Sequence, residues 1–285
     1  MIINGKEAAD AAKEDIKRKV ETYGVKPTIV VYQVGDNVAS NAYVKNKIKA
    51  CEYCGINCIH KHFDNITQEE LISNIEADNN DGRITGMIVQ LPLPKGFDEY
   101  TIINTINPDK DIDGFTNVNL GKLMSNDKTG LVPATPLGIC KLLDYYHINT
   151  ENKQITIIGR SNTVGRPLAN LLSNKDYNGN VTLLHSKTDI YTMKLACRNS
   201  DIIIVCAGKK HLLNLEYIDK THYNRPVIID VGIHRDENNK LCGDVNFESV
   251  EKYTDITPVP GGVGPMTVVS LLLNTIKAYE NQLAK

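Results

Sequence analysis

The 285-residue chain lacks a dominant charge, and this absence excludes whole classes of partner. It carries 32 basic and 34 acidic side chains, and its pI lies near 6.4. Without a field of one sign, the surface offers no general attraction for nucleic acid or anionic lipid. Small molecules are therefore the expected partners.

The chain also lacks any apolar run close to the roughly 20 residues of a membrane span. Its first seven residues carry charge where a signal peptide needs an apolar core. A soluble, cytoplasmic protein is expected. No internal repeat, low-complexity tract or flexible Gly/Ser hinge is evident, and the length allows two domains, each with a sizeable core.

A disulfide framework and a complete metal-binding pattern are missing as well. The seven cysteines are an odd number in a large chain, which favours reduced thiols. Cys51, Cys54 and Cys58 resemble the start of a metal cluster, but no second C-x-x-C completes a tetrahedral site. We predict no metal, and we interpret these thiols as buried near a helix end and His60 and His62 as structural or surface groups.

Predicted strands alternate with predicted helices, which indicates an α/β protein with mainly parallel sheets. Helices are expected over residues 5–23, 40–54, 97–106 and 268–283, and one more opens with a capping box at Thr67. Strands are expected over 28–34, 57–63, 86–91, 154–158 and 181–184, and residues 201–208 and 226–232 resemble inner strands of a second sheet. No Gly/Ser hinge separates the two halves of the chain, and we place the domain boundary near the two prolines of residues 133–136, just before a helix.

The strand over 154–158 leads into Gly159, Arg160 and Ser161, and a helix starts near Gly165. A strand, a tight glycine turn and a helix start place free N–H groups and a helix dipole against a phosphate. The glycine pattern is imperfect, because Ser161 holds the second glycine position; alone, the turn is as well explained as an ordinary βα loop. The next strand completes a unit of about 30 residues, as a mononucleotide-binding βαβ unit requires.

The second strand of this unit ends in residues 185–188, His-Ser-Lys-Thr, where an NAD enzyme usually has an acid. A carboxylate would repel a 2′-phosphate, whereas a hydroxyl and nearby cations would accept it. The sequence therefore favours NADP, with Arg160 and Ser186 as candidate phosphate contacts.

Tyr43 and Lys47 are four residues apart on a predicted helix and project from one face. A helical lysine is ordinarily a solvated surface charge. Gln90 ends an otherwise apolar strand, where ligands of open α/β sheets bind. The alternative is a strand-terminal amide that faces solvent.

The loop over residues 108–115 contains three carboxylates, but calcium would need a longer alternation of ligands. One carboxylate, Asp113, could instead pair with the amidine-like edge of a heterocycle. Residues 257–267 contain three prolines and three glycines before the final helix. They suggest a stiff backbone wall beside a ligand, or a purely structural lead-in to the helix.

Together, these segments closely resemble the bifunctional methylenetetrahydrofolate dehydrogenase/methenyltetrahydrofolate cyclohydrolase family. The shared motifs lie at residues 40–47, 89–94, 111–114, 159–161 and 258–267, so the resemblance covers nearly the whole chain. It implies a catalytic folate-binding domain over 1–136, on which the final helix (267–285) packs, and a Rossmann-type NADP-binding domain over 137–266. It also implies an active site in the interdomain cleft and a homodimer.

The resemblance and the residue chemistry together predict the site residues. The catalytic residues would be Lys47, Tyr43, Gln90 and Asp113. The tetrahydrofolate derivative would contact Tyr43, Lys47, Val89, Gln90, Leu91, Asp113, Pro260, Gly261, Gly262, Val263, Gly264, Pro265, Met266, Thr267 and Val268. NADP would contact Gly159, Arg160, Ser161, Gly165, Ser186 and Ile233. One departure is Ala134, where the family commonly has cysteine, so no thiol is assigned a role there.

The implied reactions make different demands on these residues. Hydride transfer from 5,10-methylenetetrahydrofolate to the cofactor chiefly requires alignment. Hydrolysis of the methenyl product to 10-formyltetrahydrofolate requires a positioned proton carrier, and Lys47 is the best candidate. Gln90 could hold its amine, Tyr43 could stack on or hydrogen-bond the ligand, and Asp113 could fix the pterin edge.

Two other functions would use parts of the same pattern. Short-chain dehydrogenases resemble the chain in having a Tyr-x-x-x-Lys pair and a nucleotide turn, but there the turn comes first, whereas here Tyr43 and Lys47 precede Gly159. A non-catalytic NADP-binding sensor would explain the nucleotide unit but not Lys47, Gln90, Asp113 and the proline/glycine segment together.

Overall fold

The computed structural model describes residues 1–220 and 225–284, which form two compact units. The three-stranded unit contains Asp10–Ala134 and the chain from Val268 onward. The five-stranded unit contains Met1–Ala9 and Thr135–Thr267. The chain thus passes between the two units three times, after Ala9, after Ala134 and after Thr267.

The three-stranded unit is built on a parallel sheet in the order β2-β1-β3. Its elements are α1 (Gly5–Glu21, which begins in the other unit), β1 (Thr28–Val34), α2 (Val38–Cys54), β2 (Asn57–Phe63), α3 (Gln68–Asn80), β3 (Gly86–Val89), α4 (Glu99–Thr105), α5 (Asn117–Met124) and most of the final helix. The central strand β1 is apolar and almost wholly buried, as a parallel strand covered on both faces must be. This core fixes the ends of β1 and β3, beside which the candidate catalytic side chains lie.

The five-stranded unit is also parallel, in the order β10-β7-β6-β4-β5. Its elements are α6 (Ala134–Tyr145), β4 (Gln154–Ile158), α7 (Gly165–Ser173), β5 (Asn180–Leu184), α8 (Ile190–Arg198), β6 (Ile202–Val205), a 3₁₀ turn (Leu215–Tyr217), β7 (Val227–Asp230), the hairpin β8 (His234–Arg235) and β9 (Leu241–Cys242), α9 (Phe247–Val250) and β10 (Asp255–Ile256). The expected inner strands are confirmed as β6 and β7. The strand order reverses between β4 and β6, and open α/β sheets bind ligands at such a switch point.

The first nine residues belong to the five-stranded unit, not to the residues that follow them in sequence. The N–H of Ile3 donates to the carbonyl of Ile256 at 2.9 Å, and the N–H of Ile256 donates to the carbonyl of Met1 at 3.1 Å. These bonds use the free edge of β10. The sequence analysis placed residues 1–9 in the first domain, whereas their backbone contacts group them with the five-stranded unit.

The final helix, α10, runs over Val263–Leu283 and begins five residues earlier than predicted. Pro265 lies in its first turn, where the missing N–H costs no helical hydrogen bond. About half of the proline/glycine segment is therefore helical, and the expected irregular wall is limited to residues 257–262. Helix α5 was not predicted, and β3 ends at Val89, one residue before Gln90.

The capping box at the start of α3 is confirmed. The Thr67 hydroxyl accepts from the N–H of Glu70 at 3.2 Å, and the Glu70 carboxylate accepts from the N–H of Thr67 at 2.9 Å. We expect Thr67→Ala to lower the free energy of unfolding by about 1 kcal/mol, because the Glu70 N–H at the start of α3 loses its acceptor. Urea denaturation checks this, with Thr67→Ser as the matched control; an unchanged midpoint in Thr67→Ala would contradict it.

Candidate active site

Lys47 and Gln90 meet in the three-stranded unit. Lys47 lies on the buried face of α2 and is 8 % exposed, and Gln90 follows the end of β3. The Lys47 Nζ donates to the Gln90 Oε1 at 3.0 Å. The Gln90 Nε2 donates to the carbonyl of Leu91 at 2.7 Å, which turns the amide oxygen towards the amine. The lysine is therefore held by an oriented amide instead of lying in solvent.

Asp113 lies near this lysine and is half-buried. Burial raises the pKa of the Asp113 carboxyl to about 6; the positive charge of Lys47 opposes this rise and the nearby Asp111 carboxylate adds to it. A carboxyl with a raised pKa beside a buried lysine marks a candidate functional site. Asp113 therefore lies close enough to Lys47 for their charges to interact, and its role as a ligand-binding carboxylate stays a prediction.

The neighbouring carboxylate of Asp111 has a different task, which the sequence did not reveal. It is 1 % exposed and accepts from the N–H groups of Gly114 at 2.9 Å and Thr116 at 2.8 Å and from the Asn119 amide at 3.0 Å. Gly114 has φ of 74°, and a Cβ there would meet the Val132 backbone at 2.5 Å. Asp111 and Gly114 therefore shape the turn that presents Asp113.

A second support for this turn comes from the final helix. The Asn274 side-chain amide, 2 % exposed, donates to the carbonyls of Ile112 at 2.8 Å and Val132 at 2.7 Å. Because it bonds the carbonyl of the residue before Asp113 and also that of Val132, it ties the Asp113 loop to the segment that leads into α6. The amphipathic pattern of α10 gave no sign of this role.

Tyr43 lies one helical turn before Lys47 on α2 and is half-buried. Burial raises the pKa of its hydroxyl, so the group is neutral near pH 7. A neutral phenol offers both a ring face and a hydrogen-bond donor to a heterocyclic ligand.

The glycine turn after β4 lies at the switch point of the five-stranded sheet. Gly159 has φ of 134°, and a Cβ there would lie 2.2 Å from the Cys206 carbonyl oxygen, just past the end of β6. A Cβ on Gly165 would lie 1.9 Å from the Gly159 carbonyl oxygen. Glycine is therefore required at both positions for the turn to pack against the neighbouring strand end and the start of α7.

The N-terminus of α7 has no side-chain cap. The Ser161 hydroxyl instead accepts from the N–H of Val164 at 3.1 Å and so closes the turn. In the first turn of α7, the Arg166 N–H donates to the Ser161 carbonyl at 3.1 Å and Pro167 has no N–H, so the helix offers a phosphate chiefly the positive end of its dipole. This geometry fits a dinucleotide, although Ser161 replaces the second expected glycine.

Arg160 and Ser186 lie at the same edge of this sheet. Ile158 and Leu184 are paired in register, and each candidate phosphate contact comes two residues later. The first acid after β5, Asp189, caps α8 by accepting from the N–H of Thr192 at 2.9 Å. Its carboxylate is therefore engaged in the helix cap.

The ends of β6 and β7 are joined by two carboxylates that the sequence analysis missed. Asp230, 3 % exposed, accepts from the N–H of Asp244 at 2.9 Å, and burial raises its pKa to about 6. Fully buried Asp244 accepts from the N–H groups of Ala207 at 2.7 Å and Gly208 at 3.0 Å and hydrogen-bonds the His234 Nε2 at 2.7 Å. In the sequence, each of these aspartates lies beside a glycine and a valine, in Asp230-Val-Gly and Gly-Asp244-Val, and this similarity could have pointed to the pair.

The remaining predicted contacts lie in two places. Ile233 follows β7 and is 48 % exposed, so its side chain is available to a ligand at the strand ends. In the segment that leads into α10, the side chains of Val263 and Met266 are buried, whereas Pro265 and Thr267 are partly exposed. Only some side chains of this segment are therefore accessible to a ligand.

In the described ranges, 1–220 and 225–284, no group of three His, Cys, Asp or Glu side chains has an arrangement that would hold a metal ion. None of the helices described has both the length and the hydropathy that a membrane span requires.

The fold and these residues define an α/β enzyme with one dinucleotide-binding unit and a separate lysine–glutamine–aspartate site. Comparison with known proteins identifies its family. The catalytic domain of tetrahydrofolate dehydrogenase/cyclohydrolase matches residues 3–113, and the NAD(P)-binding domain of the same family matches residues 133–283. The chain therefore belongs to the tetrahydrofolate dehydrogenase/cyclohydrolase family.

Full-length relatives agree with the domain matches. The chain is 45 % identical to the bifunctional protein FolD of Lysinibacillus sphaericus, over 99 % of this chain and 98 % of that protein. It superposes on the bifunctional FolD of Campylobacter jejuni with a TM-score of 0.93, at 43 % identity and 99 % coverage of both chains. The Trypanosoma brucei enzyme, solved with NADP and an inhibitor, gives a TM-score of 0.92 at 31 % identity, covering 100 % of this chain and 99 % of that one.

These matches confirm the expected family, fold class and bifunctional folate chemistry. The chain is a methylenetetrahydrofolate dehydrogenase and methenyltetrahydrofolate cyclohydrolase that uses NADP. The short-chain dehydrogenase and sensor alternatives are wrong. The roles of individual residues are not given by the comparisons and stay predictions.

Proposed function

We propose that Lys47 is the proton carrier of the cyclohydrolase step, that Gln90 positions its amine, and that Asp113 binds the pterin edge. The observation that carries the proposal is the 3.0 Å hydrogen bond between the Lys47 Nζ and the Gln90 Oε1 of an amide that is itself oriented by Leu91. A buried lysine held this way has a defined position from which to reach one reacting atom.

In the dehydrogenase step, the substrate needs alignment more than acid or base. Bound NADP supplies the hydride acceptor. The residues of this chain act on the folate: the Tyr43 ring packs on the pterin, and the Asp113 carboxylate accepts from the ring N–H and amino group through two hydrogen bonds. The nitrogen lone pairs of the substrate stabilise the cation that forms, so no protein base is required.

In the cyclohydrolase step, water adds to the methenyl carbon and one C–N bond then opens. The Lys47 amine accepts one proton from the attacking water, and the resulting ammonium donates it to the departing nitrogen as the C–N bond breaks. The remaining O–H proton of the added water is released to solvent as the formyl C=O bond forms. Gln90 keeps the amine at one position through both transfers. The sequence of steps explains why a single titratable group suffices.

The preference for NADP rests on the edge shared by β4 and β5. Arg160 supplies a cation and Ser186 a hydroxyl there, while the Asp189 carboxylate is engaged at α8. We expect Arg160→Gln to raise the KM for NADP at least tenfold, about 1.4 kcal/mol, because a charge-assisted contact to the 2′-phosphate is lost. Initial rates with each cofactor check this.

The matched measurement is the KM for NAD, which lacks the 2′-phosphate and should not change in Arg160→Gln. An equal rise in the KM for NADP and for NAD would indicate that Arg160 contacts the pyrophosphate, which both cofactors share, instead of the 2′-phosphate. Efficient turnover of the wild-type enzyme with NAD would contradict the roles given to both Arg160 and Ser186.

We further propose, from the family resemblance, a cytoplasmic homodimer whose 10-formyltetrahydrofolate supplies purine biosynthesis. Sedimentation equilibrium tests the dimer.

The function itself is tested by following NADPH formation from 5,10-methylenetetrahydrofolate in parallel with the methenyl absorbance. NADPH formation with rapid decay of the methenyl signal is expected, whereas a methenyl product that decays only at the uncatalysed rate would contradict the second activity.

A further inference from the structure

The five-stranded sheet has one side on which the nicotinamide half of NADP can lie. In a dinucleotide-binding fold, the pyrophosphate lies on the glycine turn after the first strand, and the adenosine ribose lies at the end of the next strand, here β5. The other half of the cofactor then crosses the switch point to the ends of β6 and β7. Two loops lie there: the β6 loop, residues 206–208, and the β7 loop, residues 231–233.

The β6 loop packs against the glycine turn. The N–H of Cys206 donates to the carbonyl of Ile158 at 2.8 Å. A Cβ on Gly159 would lie 2.2 Å from the Cys206 carbonyl oxygen, so the two backbones are in direct contact. A displacement of the β6 loop would therefore change the surface on which the cofactor crosses the sheet.

The Asp244 carboxylate holds the β6 loop from a distant point in the sequence. It is fully buried, and its Oδ2 accepts from the N–H groups of Ala207 at 2.7 Å and Gly208 at 3.0 Å. Its Oδ1 hydrogen-bonds the His234 Nε2 at 2.7 Å. Because a carboxylate only accepts, the imidazole is the donor. Both oxygens of this carboxylate are thus engaged.

The β7 loop passes over the same carboxylate. A Cβ on Gly232 would lie 2.4 Å from the Asp244 Oδ1, so a glycine is needed there. The next residue, Ile233, is exposed at the strand ends, and His234 then donates to Asp244. One buried carboxylate therefore sets the positions of two loops.

Asp244 is itself fixed to the sheet through β7. The carboxylate of Asp230, the last residue of β7, accepts from the N–H groups of Asp244 at 2.9 Å and Val245 at 3.0 Å. The carbonyl of Asp244 accepts from the N–H of Leu213 at 3.1 Å. A Cβ on Gly243 would lie 1.8 Å from the Asp230 Oδ2, so this segment and the strand end are closely packed. The sheet therefore dictates where the Asp244 carboxylate lies.

We propose that Asp244 is a positioning residue for the dehydrogenase step, which sets the place of the nicotinamide half of NADP through the β6 and β7 loops. Since its carboxylate is fully buried and engaged, it acts through the loop backbone and not by touching the cofactor. Hydride transfer depends on alignment, and small misplacements are costly. The cyclohydrolase step transfers no hydride. The proposal is independent of the roles given to Lys47 and Arg160.

The test compares Asp244→Ala with Asp244→Asn in the full-length enzyme. Alanine removes the acceptor of both β6-loop N–H groups, whereas asparagine keeps an amide oxygen for them and turns its amino group towards His234, whose ring nitrogen can accept. We expect Asp244→Ala to lower the dehydrogenase kcat/KM for NADP by roughly 10–100-fold. Asp244→Asn should stay within about threefold of the wild type.

Cyclohydrolase activity is the internal reference for these variants. It is measured on the same preparation with supplied methenyltetrahydrofolate and no cofactor, so a lower folded fraction cancels in the ratio of the two activities. Asp244→Ser is the milder variant if Asp244→Ala does not fold. Its short side chain does not reach the loop N–H groups, so the same selective loss is expected. An unchanged ratio in these variants would overturn the proposal.

A binding measurement separates the two halves of the cofactor. Adenosine 2′,5′-bisphosphate carries the adenosine half and the 2′-phosphate but no nicotinamide. Its Kd, measured by isothermal titration calorimetry, should be the same in Asp244→Ala and the wild type. A rise in this Kd as large as the fall in kcat/KM would show a general loss of the nucleotide site and overturn the assignment to the nicotinamide half.

Asp201→Ala is the matched control. Asp201 precedes β6 and accepts from the N–H of Gln154 at 2.9 Å, so it ties two strand ends together at the opposite edge of the same sheet. Its replacement should leave the activity ratio and the Kd for adenosine 2′,5′-bisphosphate unchanged. A fall in the ratio as large as that in Asp244→Ala would overturn the special role of Asp244.

Discussion

Lys47→Met is expected to lower cyclohydrolase turnover by roughly 10²–10⁴-fold, the range that a general acid–base group contributes. Methionine fills the space of the lysine stem but has no titratable group, so the attacking water loses its proton acceptor. Binding of NADP and folate should stay measurable, because the cofactor turn and Asp113 are unchanged. Stopped-flow decay of methenyl absorbance measures the effect.

The chain supplies a matched control for this substitution. Lys49 lies on the same helix but is exposed. Lys49→Met should leave both activities unchanged. Gln90→Ala should give an intermediate loss of cyclohydrolase activity, because the amine remains but its hydrogen-bond partner is gone. Unchanged hydrolysis in Lys47→Met would contradict the assignment of the proton carrier.

Asp113→Ala is expected to weaken folate binding and so reduce both activities at moderate substrate concentration. A carboxylate that accepts two hydrogen bonds from a pterin contributes roughly 1.5–3 kcal/mol per charge-assisted bond, so the KM should rise at least tenfold. Saturating substrate should recover much of the dehydrogenase rate. A KM equal to that of the wild type in both assays would contradict this role.

The pH dependence of the KM gives an independent test of Asp113. Its pKa is raised to about 6, chiefly by burial. Above this pH the carboxylate accepts from both pterin donors, and below it the protonated form loses one of these bonds. The wild-type KM for folate should therefore rise as the pH falls through about 6, and Asp113→Asn should have a high KM with no such step.

The same raised pKa also affects folding: protonation of Asp113 at low pH weakens folate binding but stabilises the folded protein. Because the folded protein binds the Asp113 proton more tightly than the unfolded chain, whose carboxyl titrates near its ordinary value of about 3.9, stability falls as the pH rises from about 4 to about 6. Asp113→Asn should thus unfold at a higher temperature at neutral pH. Asp111→Asn is the contrast: it should unfold earlier, because Asp111 accepts hydrogen bonds within the turn.

Local patterns predicted many of the helices and strands. The limits of β1 and β2 agree with the expected residues 28–34 and 57–63, because apolar runs and turn residues bound both strands. Gln90 was singled out by its place at a strand end, and the family resemblance then suggested that it could hold the Lys47 amine. The structure brings them to 3.0 Å.

Long-range pairing was beyond the sequence. Asn274 supports the Asp113 turn from more than 150 residues away in sequence. The Asp244 carboxylate accepts a hydrogen bond from the Ala207 N–H, which follows β6. Neither contact follows from a local period, because both depend on how loops and helices pack in three dimensions. The pairing of Ile3 with β10 was missed for the same reason.

Lys47 is proposed to serve the cyclohydrolase step and not the dehydrogenase step, and one progress curve tests this claim. Lys47→Met is supplied with 5,10-methylenetetrahydrofolate and NADP while NADPH and methenyl absorbance are recorded together. We expect NADPH to form and methenyltetrahydrofolate to accumulate with it, decaying only at the rate seen without enzyme. NADPH formation with methenyl decay as fast as in the wild type would contradict the claim.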